Sequence, residues 1–355
     1  MSNRKKIMFG LFISLFILCA GTSLGSSSIN FFETVRIIFY KLLTEPLAAL
    51  LPSNNEALAG APSSIAPAPD PKNISIVWQL RLPRALLAFM AGGALAMSGA
   101  VFQSVLKNQL ASPYIIGVSS GASFGAALVI ISGFTLPFIG GFTLPLTGFV
   151  FSLLTVFFVI AFSSRLDRTM SNNTVILFGM VVSLFVNALL TTITAVFREE
   201  LKTLILWQMG SFALKGWPYV TLMLPFLLTG SLGIARYTRE MDILTFGEDE
   251  AQSVGVEIRG IRKRLFFFAA VLTGGAVALS GAIGFVDLIA PHAARKIVGS
   301  NHRYVIPMSF IIGGSLMVVT DLIARTIISP SELPVGAITA IIGAPFFAWV
   351  YFKKA

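Results

Sequence analysis

Ten residues of this 355-residue chain occur nearly twice, as Gly92–Val101 (GGALAMSGAV) and again as Gly274–Ile283 (GGAVALSGAI). Seven positions are identical, and the other three exchange one aliphatic or thioether side chain for another. Both copies lie in apolar segments long enough to cross a bilayer. If five crossings separate them, as the spans below indicate, the copies run in opposite directions. Inverted repeats are typical of transporters, because two oppositely oriented halves can open one path to either side.

The composition is that of an integral membrane protein. Hydrophobic residues make up 55% of the chain and charged residues 12%, against about 25% charged residues in soluble domains. A soluble fold cannot cover so much apolar surface. The formal charge is +10, but the basic residues fall in short loops between apolar segments. There they set membrane orientation and give no indication of nucleic-acid binding.

Ten apolar segments predict an all-α fold of about ten transmembrane helices with an inverted internal repeat. They lie near Ile7–Leu24, Ala85–Leu106, Tyr114–Gly133, Leu136–Ser163, Thr174–Val196, Pro218–Tyr237, Leu265–Gly281, Ile283–Val298, Val305–Ile328 and Val335–Phe352. Residues 1–25 are expected to form an uncleaved first transmembrane helix. Residues 26–80 are expected to form an extracytoplasmic interfacial helix and a flexible loop, and residues 81–355 the core with helices 2–10.

The positions of the charges test this count. Ile29–Leu51 is apolar enough for an eleventh span, but four charged residues are spread along it, so an interfacial position is the better interpretation. An eleventh span there would also place the basic loop Arg236–Arg264 outside, against the positive-inside rule. Ten spans keep that loop and both termini in the cytoplasm, with a single free cysteine, Cys19, in the first span.

Enzymatic motifs are weak in this chain. Gly117–Gly121 matches the G-x-S-x-G pattern of serine hydrolases, but neither His292 nor His302 is obviously placed to act as a base for Ser119. Glycine and serine at this spacing are more often helix-packing residues. The chain contains no G-x-x-x-x-G-K-[ST] phosphate loop and no Cys/His cluster with metal-ligand spacing, so we expect no cofactor in the chain itself.

The polar loop 238–264 is a candidate docking segment. Its acidic part, Gly247–Val256, fits one or two short helices whose apolar residues would have no protein of this chain to cover them. An acidic patch fits poorly on an anionic leaflet, so we favour docking to another protein over lipid contact. Ala251 and Gly255 are four residues apart and would share one face of a helix.

Three arginines lie on the outer side against the orientation rule. Arg81 and Arg84 begin the second span, and Arg325 lies near the outer end of the ninth. They either reach toward lipid headgroups or form a ring that receives an acidic partner.

Several motifs together resemble one family of transporters. In the first half these are Arg81–Arg84, GGALAMSGAVFQ, Lys107–Pro113 and Gly117–Ala122. In the second half they are Gly281–Gly299, His302-Arg303, Asp321 through Arg325, Leu333–Gly336 and Gly343–Phe347. In order and spacing these motifs resemble the permeases of iron-siderophore, haem and cobalamin ABC importers, the FecCD-like family, from about Val77 to the C-terminus.

The resemblance implies a ten-helix permease subunit, residues 81–355 being its core, in a bacterial or archaeal cytoplasmic membrane. Its implied partners are two cytoplasmic ATPase subunits that bind ATP, an extracytoplasmic binding protein and a second permease chain, identical or different. It implies three groups of site residues. Binding-protein docking involves Arg81, Arg84 and Arg325; the cytoplasmic gate involves Asn108, Gln109, Leu110, Asn172 and Asn173; ATPase coupling involves Gly247, Glu248, Ala251, Val254 and Gly255.

Two positions depart from the family pattern. Gln109 stands where the family usually has proline, which affects the stiffness of the gate. Asp287 stands where glycine is usual, and a carboxylate at membrane depth must be solvated or paired. Asp287 therefore either lines the path or pairs with a nearby arginine.

The leading hypothesis is a non-enzymatic permease subunit that carries an iron-siderophore, with haem or cobalamin as alternatives. The second hypothesis is an ion-coupled secondary transporter with ion sites at Asp287 and Asp321. The third is an intramembrane protease that uses Ser119. The docking loop favours the first, because a secondary transporter needs no ATPase.

Overall fold

The computed structural model describes residues 2–25, 29–44, 69–167 and 170–352, and within these ranges it is built from helices without a strand. The α-helices are α1 (Asn3–Ser23), α2 (Phe31–Phe39), α3 (Pro71–Ser75), α4 (Leu82–Val105), α5 (Val118–Ser132), α6 (Thr143–Leu166), α7 (Asn172–Val196), α8 (Leu201–Gln208), α9 (Trp217–Ala235), α10 (Thr238–Phe246), α11 (Glu248–Ser253), α12 (Ile258–Ser280), α13 (Val286–Val298), α14 (His302–Thr326) and α15 (Val335–Phe352). The described residues also form two π-helical segments, Tyr40–Thr44 and Ile76–Arg81, and two 3-10 turns, Pro113–Ile116 and Gly140–Phe142.

Each of the ten predicted spans coincides with one long helix: α1, α4, α5, α6, α7, α9, α12, α13, α14 or α15. Seven candidate spans are long and apolar enough to cross a membrane by themselves. The other three, α5, α13 and α15, are shorter. The predicted all-helical membrane fold is confirmed.

The two copies of the repeat lie on α4 and α12, which pack against each other in opposite directions. Phe102 stacks on Phe266 with ring centroids 5.1 Å apart. Further along α4 toward its start, the Ser98 hydroxyl donates to the carbonyl of Ala269 (3.0 Å) and accepts from the Thr273 hydroxyl (2.6 Å). Because residue numbers fall along α4 as they rise along α12, the helices are antiparallel. The inverted orientation expected from the sequence is therefore present at the centre of the bundle.

Glycines on α4 bring backbones into direct contact in the core. A Cβ at Gly92 would overlap the backbone of Gly313 on α14, and a Cβ at Gly99 would overlap the backbone of Asp287 on α13. Close approach of this kind is how helices associate in a membrane, where van der Waals packing replaces the hydrophobic effect. It explains why small residues crowd both copies of the repeat.

The N-terminal segment joins the bundle through α1, which packs along α14. Asn3 donates to the carbonyl of Val298 at one end (2.9 Å), and a Cβ at Gly21 would meet the Val318 side chain at the other. In α2, Ile37 is buried whereas Phe32 and Phe39 are exposed, as an interfacial helix requires. The flexible loop expected within residues 26–80 falls mainly on residues 45–68, which lie outside the described residues.

Candidate functional site

Arginines and carboxylates line a cavity of about 630 Å³ at one end of the bundle. We call it the arginine mouth, and its charged lining residues are Arg81, Arg84, Lys215, Arg325 and Glu332. Because α4 starts here and runs to the end where α12 begins, the mouth and the 238–264 loop lie at opposite ends of the bundle. The three arginines that the sequence singled out are thus brought together, and Lys215 and Glu332 are additions that sequence reasoning missed.

Arg84 is already held by two carboxylates of its own chain. Its guanidinium makes a forked contact with Asp321 (2.8 and 3.0 Å) and a second one with Glu332 (2.7 and 2.9 Å). Arg325 lies 3.8 Å from Asp321 and donates to the carbonyl of Gly21. Planar guanidinium groups favour such forked pairing. Any acidic partner of Arg84 must therefore compete with Glu332, the more exposed of the two carboxylates.

Arg81 serves the end of α1. Its side chain is buried, and its Nη1 donates to the carbonyls of Ser23 (2.6 Å) and Thr22 (3.5 Å) in the last turn of that helix. A cation at this position satisfies carbonyls that have no partner within the helix and complements its dipole. Arg81 therefore holds the end of α1 against the lining of the arginine mouth, and its docking role stays a prediction.

Lys215 lies in the connection between α8 and α9, outside the membrane-spanning helices. Its Nζ stands 4.6 Å from the centroid of the Tyr219 ring. Burial lowers the pKa of Lys215 to about 8, because desolvation disfavours the charged ammonium. The mouth thus contains one cation whose charge depends on pH near neutrality, beside arginines that stay charged.

The 238–264 loop folds into two short helices, α10 and α11, at the opposite end. Of the apolar residues in Gly247–Val256 that were expected to be uncovered, only Val254 is exposed, at 66%, and Phe246 of α10, outside that segment, is 79% exposed. Ala251, by contrast, is fully buried. The expected face shared by Ala251 and Gly255 is wrong, since α11 ends at Ser253.

Gly255 ends the helix instead of continuing it. It has a φ of +81°, and the next amide, Val256 N, bonds back to the carbonyl of Ala251 at 3.0 Å. This is the glycine-terminated end that closes many helices. Gly247, whose φ is +154°, separates α10 from α11. The two glycines therefore have structural explanations, and ATPase contact by Gly247, Glu248, Ala251, Val254 and Gly255 stays a prediction. Of these, Val254 and Gly255 are exposed.

The two predicted gate segments lie side by side. Asn172 Nδ2 donates to the carbonyl of Leu106 (3.0 Å), directly before the segment Asn108, Gln109 and Leu110. Asn172 in turn accepts from Arg262, whose side chain is fully buried. Asn108 accepts from the amide of Leu110 at 2.9 Å and so closes its own turn. Asn173 is exposed and is not part of this contact.

Asp287 lies in the first turn of α13 with no exposed surface. Its carboxylate accepts from the Ser112 hydroxyl, and its backbone carbonyl accepts from Gln103 Nε2 at 3.3 Å. Gln103 in turn accepts from Arg295 Nη1 at 2.5 Å. Of the two roles expected for Asp287, neither an arginine pair nor an open path is seen among the described residues. The carboxylate instead ties α13 to the connection that follows the gate segment.

Ser119 of the G-x-S-x-G pattern lines a small polar cavity, and neither His292 nor His302 lies in its lining. The described residues therefore give Ser119 no histidine base.

Comparison with known proteins agrees with this architecture. The pattern of the FecCD transport family matches residues 11–353. The chain is 42% identical over 285 residues to an uncharacterized ABC transporter permease protein, YvrB, of Bacillus subtilis, covering 80% of this chain and 81% of that one. It is 38% identical over 275 residues to the cobalamin import system permease protein BtuC of Halobacterium salinarum, covering 78% and 73%.

A third relative aligns along nearly the whole chain. The Fe(3+)-citrate import system permease protein YfmD of Bacillus subtilis is 31% identical over 355 residues, covering 99% of this chain and 96% of that one. A solved structure of a metal-chelate type ABC transporter in an inward-facing conformation superimposes with a TM-score of 0.82 at 29% identity, covering 99% of both chains. Fold, repeat and sequence therefore agree that this multi-pass membrane chain belongs to the FecCD transport family, the permeases of type II ABC importers.

Proposed function

We propose that this chain carries an iron-siderophore, a metal chelate, through the cytoplasmic membrane as the permease subunit of an ABC importer. A separate ATPase drives it through the 238–264 loop, and an extracytoplasmic binding protein delivers the chelate at the arginine mouth. A second permease chain completes the path. Both termini face the cytoplasm, because basic residues concentrate at the end of the bundle that holds the loop.

One observation carries the proposal: two surfaces of different chemistry lie at opposite ends of the same antiparallel bundle. The mouth gathers guanidinium groups and a lysine, which suit an acidic protein surface. The loop presents Phe246 and Val254 on short helices, which suit a protein groove. An importer needs a surface that receives the binding protein on one side and a surface that contacts the ATPase on the other.

The iron chelate is the finer part of the proposal. The relatives include proteins named for cobalamin and for Fe(3+)-citrate, and the superimposed structure is of the metal-chelate type. An iron-citrate permease among the relatives and the metal-chelate type of the superimposed structure support an iron chelate. Haem and cobalamin remain the alternatives within the same family.

An ion-coupled secondary transporter is less well supported. Its expected ion sites were Asp287 and Asp321, but Asp321 is bound to Arg84 and lies close to Arg325, and Asp287 accepts from Ser112. A carboxylate neutralised by a guanidinium is a poor site for a cation.

The deciding experiment is uptake by proteoliposomes that contain the permease, its ATPase and its binding protein. Ferric siderophores, ferric citrate, haem and cobalamin are each supplied, with and without ATP. We expect ATP-dependent uptake of a ferric siderophore, and ATP-independent uptake would contradict the proposal.

The proposed ATPase contact of the 238–264 loop is tested in the same system. Phe246→Ser and Val254→Ser should release the ATPase on co-purification or uncouple its activity from uptake. Lys202→Ser, on α8 at the other end, is the matched exposed control.

A further inference from the structure

Each copy of the repeat is followed by a segment without α-helix that leads to the next span, and these two breaks between helices are in contact. Residues 106–117 separate α4 from α5, and residues 281–285 separate α12 from α13. Tyr114 in the first break donates its hydroxyl to the carbonyl of Ile283 in the second, at 2.8 Å. Non-helical backbone at membrane depth is tolerated where it is buried in protein or lines a water-filled path. In transporters built from inverted repeats, such a meeting of broken helices lies at the substrate site.

A polar cavity of about 300 Å³ opens beside this contact, between α5 and α7. Seven of its nine lining side chains are hydroxyls or amides, and none carries a formal charge. The lining residues are Tyr114, Ser119, Ser120, Ser123, Ser183, Asn187, Leu190, Gln208 and Ala282.

Part of this polar lining has no partner in the protein. The Ser120 hydroxyl donates to the carbonyl of Gly117, directly before α5 (3.1 Å), and the Ser183 hydroxyl donates to the carbonyl of Gly179 within α7 (2.8 Å). Ser119, Ser123, Asn187 and Gln208, in contrast, make no side-chain hydrogen bond anywhere in the described ranges. Hydrogen-bonding groups left unpaired against hydrocarbon are costly. This face must therefore meet water, a polar ligand or polar groups of the second permease chain, and it does not belong to the lipid-facing surface.

The chemistry of the lining restricts the ligand. Hydroxyls and carboxamides both donate and accept, so they suit carbonyl, hydroxyl and amide groups. No lysine, arginine, aspartate or glutamate is in the lining to balance a bare ion. A volume of about 300 Å³ is at the lower end for small-molecule sites, which suits one arm of a chelate better than a whole one.

We propose that this cavity is a substrate-contact site that takes the uncharged, oxygen-rich periphery of a metal chelate. The inference rests on the transport function proposed above. Asn187 and Ser123 are two of its four unpartnered hydrogen-bonding side chains and come from different helices, α7 and α5. The cavity then does not contact the charged metal centre or its ligands, and it selects the chelate by hydrogen bonds to the uncharged periphery.

The test compares Asn187→Leu and Ser123→Ala with Thr191→Val. Thr191 is one turn further along α7, is outside the lining, and its hydroxyl already bonds the carbonyl of Asn187 at 2.9 Å. The probes are ferrichrome, which is uncharged, and ferric citrate, which is anionic, with haem and cobalamin as further chelates. Loss of one hydrogen bond should lower uptake of the transported chelate by about three- to tenfold, and Thr191→Val should leave uptake unchanged.

A further variant, Asn187→Asp, places a negative charge in the cavity. It should reduce uptake of ferric citrate more than uptake of ferrichrome, which a merely structural role of Asn187 would not predict. Co-purification of the ATPase and capture of the binding protein check that each variant is folded. Wild-type uptake by both Asn187→Leu and Ser123→Ala overturns this inference alone, whereas absence of chelate uptake by the wild type overturns the proposed function.

Discussion

Asp242 of α10 and His302 at the start of α14 share a hydrogen bond of 2.5 Å between carboxylate Oδ1 and ring Nδ1. The same carboxylate oxygen accepts the backbone amide of His302 at 2.9 Å. It therefore satisfies one of the free amides at the beginning of a long helix. The far end of α14 carries Asp321 and Arg325 in the arginine mouth. One helix thus connects the 238–264 loop with the opposite end of the bundle.

Replacing Asp242 with alanine should loosen that connection. Loss of a charged acceptor at a helix start costs about 1–2 kcal/mol, so we expect a thermal midpoint lower by a few degrees and less uptake per ATP hydrolysed. The matched control is Glu199→Ala, an exposed carboxylate outside the 238–264 loop. A wild-type midpoint and wild-type coupling in Asp242→Ala would show that the contact does not transmit force.

Glu332 should act as a competitor for the partner of Arg84. Glu332→Gln removes one of the two charges that Arg84 now faces and should tighten capture of the binding protein about threefold or more, since charge pairs at interfaces couple by about 1.5–7 kcal/mol and less at a rim. Arg84→Glu should weaken capture. Titration of labelled binding protein at two salt concentrations measures both, and the exposed Lys202→Glu is the control. Equal affinity in all three would favour a purely structural role for Arg84.

Capture of the binding protein should fall as pH rises through about 8. Lys215 carries its charge below that pKa and loses it above, so an acidic partner binds better on the acid side. Lys215→Arg stays charged throughout and should flatten this step, and Lys215→Met should remove it with uniformly weaker capture. The affinity for the binding protein is measured from pH 6.5 to 9 in the wild type and in both variants. If both variants keep the wild-type fall in affinity near pH 8, the titrating group is not Lys215.

Labelling of engineered cysteines tests the orientation of the bundle. In a Cys19→Ser background, Leu214→Cys should react with an impermeant reagent from outside intact cells, because Leu214 is 97% exposed at the mouth. Val254→Cys should react only after the cells are opened. Labelling of both from the same side would refute the ten-span arrangement.

Gly99→Ala should be strongly destabilising. The added methyl group would overlap the backbone of Asp287, and backbone cannot rotate away as a side chain can, so we expect a loss of about 1–3 kcal/mol or more. Gly141→Ala is the matched control, because a Cβ there meets nothing within 4 Å. The thermal midpoint in detergent and the yield of folded protein report the difference, and equal midpoints would mean that the core adapts at Gly99.

The fold was predictable because its signals are local and strong. Apolar length located the ten helices and the positions of the charges excluded an eleventh span. The repeat Gly92–Val101 with Gly274–Ile283 indicated the antiparallel pair before any contact was known. Most helix ends were predicted to within four residues, but α6 begins seven residues after the predicted Leu136 and α12 seven residues before the predicted Leu265. Gly255 was also misread. Its spacing from Ala251 suggested a shared helical face, whereas its positive φ ends the helix.

The site was predictable only in part, because pairing depends on tertiary contacts. The three arginines could be found from their unusual side of the membrane, and they do line one mouth. Nothing in the sequence places Glu332 or Asp321 beside Arg84, or Ser112 beside Asp287, since these partners are 175 to 248 residues apart along the chain. The polar cavity escaped notice for the same reason: its serines, Asn187 and Gln208 come from separate elements.

The glycine contacts of α4 distinguish a tightly packed centre of the subunit from the loosely packed helix α7. Where Gly92 meets Gly313 and Gly99 meets Asp287, backbones touch, and helices locked in this way shift as one body. In α7 only Val175, Gly179 and Leu190 are buried, so little holds that helix against the rest of its own subunit. We therefore expect α7 to shift more readily than this centre during a transport cycle, so that the backbone contacts at Gly92 and Gly99 persist from one cycle to the next.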